Sequence, residues 1–380
     1  MAQTAAGRRG TVGLNPKPKA DMDHTLTLPA EPAMGAAAAG PTPGHSAPPV
    51  AVQTLAVPSV AQPWRYAWAS AQLALSGLTR PHRTQPRRAG HYGAAAPVGL
   101  GLSNRWRAVF DVPARAAAAV PLSTHHSVGR LLRARLFADL GLSPGQLRHL
   151  QHRSVHPAGV AACASARQSQ LDCHVPRVLR LGDDCALVEV RTRVTSADGA
   201  VLALLDDGYV VRGLPATDLD GLPPDRAGLR KLLGLRKRLP CLSTTRGAAL
   251  VCLMPVPPDM GRAYGRISGD WHPAHMGLLG AWLSGLQRPC LQTLALRNLV
   301  LRHLAELAVP LACLELSFAA PACLGQSLLL VVDKGALEVL DAQGRLVAYG
   351  TVGANAVDAQ REAGGDAAVG AAACAHALAA

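Results

Sequence analysis

Two residues able to move protons stand five positions apart in Tyr264-Gly-Arg-Ile-Ser-Gly-Asp-Trp-His-Pro-Ala-His275. The carboxylate is Asp270, the imidazole is His275, and Pro273 stiffens the bend between them. Such a pair on one short segment can grip a single water molecule and pass its protons, the minimum for general acid–base addition or removal of water. Ser268 and Gly269 are expected to let the backbone come close to whatever the pair holds. Trp271 and Trp282 flank the pair and are candidates for lining an apolar pocket. Ser268 lacks the Gly-x-Ser-x-Gly setting of a nucleophilic serine. The competing reading is a surface turn in which Asp270 and Pro273 only shape the chain.

The elements that must position this pair follow from periodicity. A helix is predicted from Leu291 to about Leu307, with apolar residues at 291, 294, 295, 299, 301, 304, 305 and 308 filling a core-facing stripe. Arg297, Asn298, Arg302, His303 and Glu306 interrupt that stripe, and Pro310 stops the helix. Antiparallel strands follow at 327–332, 336–340 and 345–349. A similar alternation at 187–194 turns at Asp198-Gly199 into 200–205. Two short matches suggest an internal repeat: 181–188 with 324–331, offset 143, and 199–203 with 344–348, offset 145. The boundaries read as a low-complexity, mostly disordered leader at 1–104, a first domain at 105–215 and a basic linker at 216–245. A second domain at 246–353 carries the site, and an unfolded Ala/Gly-rich tail spans 354–380.

The pattern of an aromatic residue, Ser-Gly-Asp, a polar residue, Pro and His closely resembles the signature of MaoC-like dehydratases, the (R)-specific enoyl-CoA hydratases. His272 stands here where that signature has Asn. Two further stretches are similar to family elements in the same order: Phe318-Ala-Ala-Pro-Ala-Cys-Leu-Gly-Gln-Ser-Leu328, and the closing hairpin Asp341-Ala-Gln-Gly-Arg-Leu-Val-Ala-Tyr-Gly350. The resemblance covers about 253–352, with a fainter echo from about 107 to 213 that lacks the signature. It implies an α+β double hotdog, each half an antiparallel sheet wrapped around a central helix. It further implies reversible hydration of a trans-2-enoyl thioester, carried by CoA or acyl carrier protein, to the (R)-3-hydroxyacyl thioester. On that analogy Asp270 and His275 hold the water, and a backbone N–H at Thr293 meets the thioester oxygen. Ser268, Gly269, Trp271, His272 and Gln292 border the substrate. The family's His-Gly at the helix start is Gln292-Thr293 here. A Thr at that position obstructs the oxyanion site if the backbone there needs positive φ or close approach. Two alternatives stay open: a catalytically inactive hotdog protein that binds acyl thioesters or serves as a partner subunit, and a basic nucleic-acid-associated protein.

Composition bounds these readings. A formal charge of +13 favours polyanionic partners, among them the phosphates of an acyl-CoA. Twelve Arg against Asp111 and Asp139 lie between residues 80 and 153, and with few aromatics interleaved they read as a solvated basic surface; nucleic acid is disfavoured as a partner. The basic helix 226–238 is read as a solvated linker face or a grip on CoA phosphates. Nine Cys without a Cys-x-x-Cys pair fit neither a zinc module nor a disulfide framework, and point to a reducing compartment, cytoplasmic or an organellar matrix. His125-His126 lack partners at ligand spacing, so neither a metal nor a cofactor is expected. No apolar run approaches the length of a membrane span. A homodimer, or a pseudo-dimer within one chain, completes the expectation.

Overall fold

The computed structural model describes residues 52–54, 91–97, 100–113, 123–142, 146–160, 162, 168–225 and 249–353. Most of the expected leader, the basic helix 226–238 and the tail from 354 lie outside the described residues. Among the described residues eleven strands form one sheet: β1 (Val52–Thr54), β2 (His91–Pro97), β3 (Leu147–Val155), β4 (Gln168–Arg180), β5 (Cys185–Ser196), β6 (Val201–Arg212), β7 (Leu250–Pro255), β8 (Cys313–Phe318), β9 (Ser327–Asp333), β10 (Ala336–Leu340) and β11 (Leu346–Gly353). Their spatial order is β1-β2-β4-β5-β6-β3-β8-β11-β10-β9-β7.

That order is one five-strand motif written twice. β2-β4-β5-β6-β3 and β7-β9-β10-β11-β8 share the same topology, and the antiparallel pair β3–β8 joins them into one sheet. The helices obey the same symmetry. α1 (Leu100–Phe110) and α2 (Ser123–Asp139) follow β2; α4 (Met260–Ser268) and α6 (Thr293–Glu306) follow β7. The short helices α3 (Ala216–Leu219) and α5 (Leu278–Leu283) lie in connections. Each central helix packs its own half: Val128, Leu131, Leu132 and Leu136 of α2 lie in the first core, and Ala295, Leu296, Leu299 and Val300 of α6 in the second. The chain is thus a pseudo-dimer of two hotdog units. No helix among the described residues is long and apolar enough to cross a membrane.

Several expectations need correction. The first unit starts before residue 105, because its first strand is His91-Tyr-Gly-Ala-Ala-Ala-Pro97. That run is Ala-rich with no β-branched residue, so propensity gives no strand signal there. The match of 199–203 with 344–348 aligns equivalent turns before β6 and β11, but 181–188 with 324–331 aligns the start of β5 with that of β9, one strand out of step. The spacing between equivalent elements drifts from 170 residues at the central helices (123 to 293) to 145 at the last strands (201 to 346). The second unit inserts residues before α6, and the first has longer strands, so no single offset describes the repeat.

The polar breaks in α6 are not a solvent face. Arg297 and Asn298 are fully buried and His303 nearly so. Arg297 donates from Nη2 to Ser154 Oγ on β3 (3.2 Å) and from Nη1 to Asn298 Oδ1 (3.1 Å). α6 lies between its own sheet and the other unit, so its polar residues are covered too. The Arg-rich stretch is likewise only partly solvated: Arg133 is buried and Arg130 reaches the second unit.

Candidate active site

α4 ends in a built cap that aims Asp270. Ser268 donates from Oγ to the Tyr264 carbonyl (2.8 Å) and accepts from the Asp270 N–H (3.1 Å). Gly269 closes the helix in the left-handed region at φ 73°, where a side chain is strained. Both residues thus shape the turn, and Gly269 and Trp271 are absent from the cavity wall; Trp271 is 40% exposed and Trp282 72%.

The next bend aims His275. His272 Nδ1 accepts the Ala274 N–H (3.3 Å) and caps the 3₁₀ turn Pro273–His275, a service that an Asn side chain also performs. Two glycines clamp this turn. A Cβ on Gly261 would lie 2.2 Å from the His275 carbonyl oxygen, and one on Gly280 2.2 Å from that of Pro273. His275 Nδ1 lies 2.8 Å from the carbonyl oxygen of Cys290. A carbonyl only accepts, so Nδ1 carries the hydrogen and a neutral His275 keeps its lone pair on Nε2. The Cys290 Sγ is 3.5 Å from the same Nδ1, and burial pushes that thiol up to about 11, so it stays protonated at neutral pH.

Asp270 and His275 share one cavity of about 870 Å³ with His272, Ser268, Gln292 and Thr293. The opposite wall comes from the first unit, including Arg130, Phe137, His149 and Tyr209. Burial pushes the Asp270 carboxyl up, but Arg130, then His275 and His272, outweigh it and hold it below its ordinary value. Arg130 Nη2 is 3.3 Å from Asp270 Oδ1, and its Nη1 donates to the Gly269 carbonyl. Asp270 is therefore an ionised proton acceptor. His272 is kept neutral by burial and by its neighbour His275, whose ring centroid is 5.6 Å away.

Gln292 is buried and bridges α4 to the bend, donating from Nε2 to the carbonyls of Gly261 (3.0 Å) and Asp270 (3.3 Å). It is also the N-cap of α6, so Thr293 is the first helical residue, and its φ is negative. The positive-φ objection to a Thr here is thereby removed. The Thr293 side chain is drawn toward the first unit, where Oγ1 lies 2.8 Å from His149 Nδ1. Its backbone N–H belongs to the helix's first turn, which has no intrahelical partner.

Behind His149 lies a buried polar group that sequence reading missed. Asp207, with no exposed side-chain surface, has His152 Nδ1 at 2.7 Å, His149 Nε2 at 3.0 Å and Arg133 Nη1 at 3.3 Å. Burial disfavours its charge, yet His152 and Arg133 outweigh that and hold the carboxyl well below its ordinary value. These residues are 55 to 144 positions from their partners, so no local motif announces them. Two groups of three among the described residues have potential metal-ligand spacing: His91, Asp172 and His174, and His149, His152 and Asp207. In the first, His91 Nε2 faces Asp172 Oδ1. In the second, the Arg133 cation already sits on the carboxylate, which disfavours a metal there.

No family model and no curated protein matches the chain. Solved structures do. A MaoC-like dehydratase from Phytophthora capsici is similar over 72% of this chain and 99% of its own length, at 13% identity and a TM-score of 0.53. The fold is that of the MaoC-like dehydratases. A second structure described as a MaoC-like dehydratase covers 71% of this chain and 99% of its own, at 13% identity and a TM-score of 0.52. In this double hotdog the second unit presents the Ser-Gly-Asp…His bend. Only 12 residues separate α1 from α2 in the first unit (110 to 123), against 24 between α4 and α6 (268 to 293).

Proposed function

We propose that the chain is an acyl thioester hydratase or dehydratase, adding water reversibly to a trans-2-enoyl thioester of CoA or acyl carrier protein to give the (R)-3-hydroxyacyl thioester. The observation that carries this reading is Asp270 and His275 in one cavity with the free N-terminal turn of α6. The Asp270 carboxylate and His275 Nε2 are both acceptors, so a water between them donates one hydrogen to each. Its oxygen lone pair is then turned toward the substrate's C3. As that oxygen attacks, one acceptor takes a proton from it, the other hydrogen stays on the new hydroxyl, and the proton taken is then delivered to C2. The charge that builds on the thioester oxygen meets the N–H of Thr293 and the positive end of the helix dipole. Arg148 on the cavity wall suits the phosphates of the carrier.

The direct test is hydration of crotonyl-CoA by the wild type and Asp270→Asn. The proposal expects a loss of about 10²- to 10⁴-fold; equal rates remove Asp270 from the mechanism. One observation favours a second reading, an inactive acyl-thioester-binding protein: the Arg130–Asp270 ion pair engages the carboxylate that water must reach. Crotonyl-CoA binding without turnover in the wild type selects that reading.

A further inference from the structure

We propose that Thr293 is also a nucleophile, and that the cavity cleaves acyl thioesters through a covalent acyl-threonine, with His149 as base and Asp207 as the group that holds the base. The proposal rests on the thioester reading for its substrate class only; it uses neither Asp270 nor His275.

The geometry sets a hydroxyl, an imidazole and a carboxylate in succession at contact distance, drawn from both units. His149 Nδ1 is 2.8 Å from Thr293 Oγ1, and Nε2 is 3.0 Å from Asp207 Oδ1. Asp207 is ionised by its contacts with Arg133 and His152, and an ionised carboxylate only accepts. With that carboxylate 3.0 Å from Nε2, though out of good hydrogen-bonding line with it, the hydrogen of a neutral His149 is placed on Nε2, and the lone pair on Nδ1 receives the Thr293 hydroxyl. This is the polarity that a general base needs toward a nucleophile. The ring is fixed by stacking on Tyr209 (centroids 4.6 Å apart, planes at 17°) and by Phe318 at 5.2 Å. Thr293, His149, Tyr209 and Phe318 all line the cavity. The unpaired N–H groups of the first turn of α6 lie beside the nucleophile, where a tetrahedral oxyanion forms.

The steps balance without any other reagent. Thr293 Oγ1 attacks the thioester carbonyl carbon as its proton passes to His149 Nδ1. The C–S bond breaks, and the departing thiolate takes the proton from His149, leaving a Thr293 ester and a free thiol. Water then gives a proton to His149 and attacks the ester carbonyl. The C–O bond to Thr293 breaks, and Thr293 recovers the proton. The sum is thioester plus water giving carboxylic acid plus thiol.

The test supplies the full-length protein with butyryl-CoA, a saturated thioester with no double bond to hydrate, and follows free thiol with a disulfide chromophore. Failure here is thus separable from failure of the hydratase reading, which crotonyl-CoA hydration tests independently. The expected result is thiol release that falls about a hundredfold or more in Thr293→Val and in His149→Ala, while Thr293→Ser retains it. Thr293→Val keeps the side-chain shape, so its thermal midpoint confirms that folding is intact. No release above the solvent rate in the wild type overturns the proposal. Release unchanged in Thr293→Val also overturns it, and reduces the His149 contact to a structural tie between the units.

Discussion

Replacing Asp207 by Asn is expected to unsettle the whole molecule, because the charge it removes balances a cation with nowhere else to go. The Asp207 side chain has no exposed surface, and that of Arg133, whose Nη1 lies 3.3 Å away, is 6% exposed. Leaving one partner of such a pair buried costs about 3–5 kcal/mol, a large share of the 5–15 kcal/mol by which domains are typically stable. Asn keeps a carbonyl oxygen for His152, so the loss is mainly that of the charge facing Arg133. Urea unfolding followed by far-ultraviolet circular dichroism measures it. A companion variant, Arg133→Met with Asp207→Asn, removes both charges while keeping the carbonyl oxygen for His152, and is expected to recover most of the loss, since no uncompensated buried charge remains. An Asp207→Asn protein within about 1 kcal/mol of wild type, below the cost of an uncompensated buried charge, refutes the reasoning. So does a double variant as weak as the single one.

Three other outcomes follow from the same geometry. Burial, opposed by Asp207, lowers His152 to about 4 when folded, against an unfolded value near 6.5. The unfolded chain therefore takes the proton first. Stability is full above about pH 6.5 and falls as the pH drops toward 4, by about 2 kcal/mol at pH 5 from 1.36 kcal/mol per unit; urea midpoints at pH 7 and 5 measure it, and equal stabilities contradict it. Gly261→Ala drives a Cβ into the His275 carbonyl oxygen (2.2 Å before relaxation), and a shift of the turn near 1 Å is expected to cut kcat/KM for crotonyl-CoA about a hundredfold with the dichroism spectrum unchanged. Arg130→Gln removes the strongest influence that lowers Asp270, so the acidic limb of the hydration profile moves to higher pH; an unmoved limb means that the ion pair does not set the base.

The parts of this molecule written within a short stretch of chain were legible in its sequence. Asp270 and His275 lie within one bend, α6 shows its apolar stripe, and β9 to β11 alternate and turn where expected. The hidden parts depend on distant partners. β2 is a strand because β4 and its core need one there, not because His91–Pro97 prefers extended backbone. Arg130 and Arg133 look like surface residues until α2 is set against α4 and β6. His149 sits on a strand within the Arg-rich stretch, and only the pairing of β3 with β6 and β8 brings it to both Asp207 and Thr293. The Thr293 substitution read as an obstruction because its side-chain partner comes from the other unit. Ser268 and Gly269 were read as substrate contacts; the structure adds that Gly269 ends α4 and that Ser268 Oγ accepts the Asp270 N–H.

The central claim is that Asp270 and His275 act as one unit on a shared water. The most direct measurement is a double-substitution cycle on crotonyl-CoA hydration with Asp270→Asn, His275→Ala and both together. A shared water predicts that each single change removes most of the rate and that the double variant is hardly slower than the worse single one. Losses that multiply independently, or a single variant as fast as the wild type, contradict it.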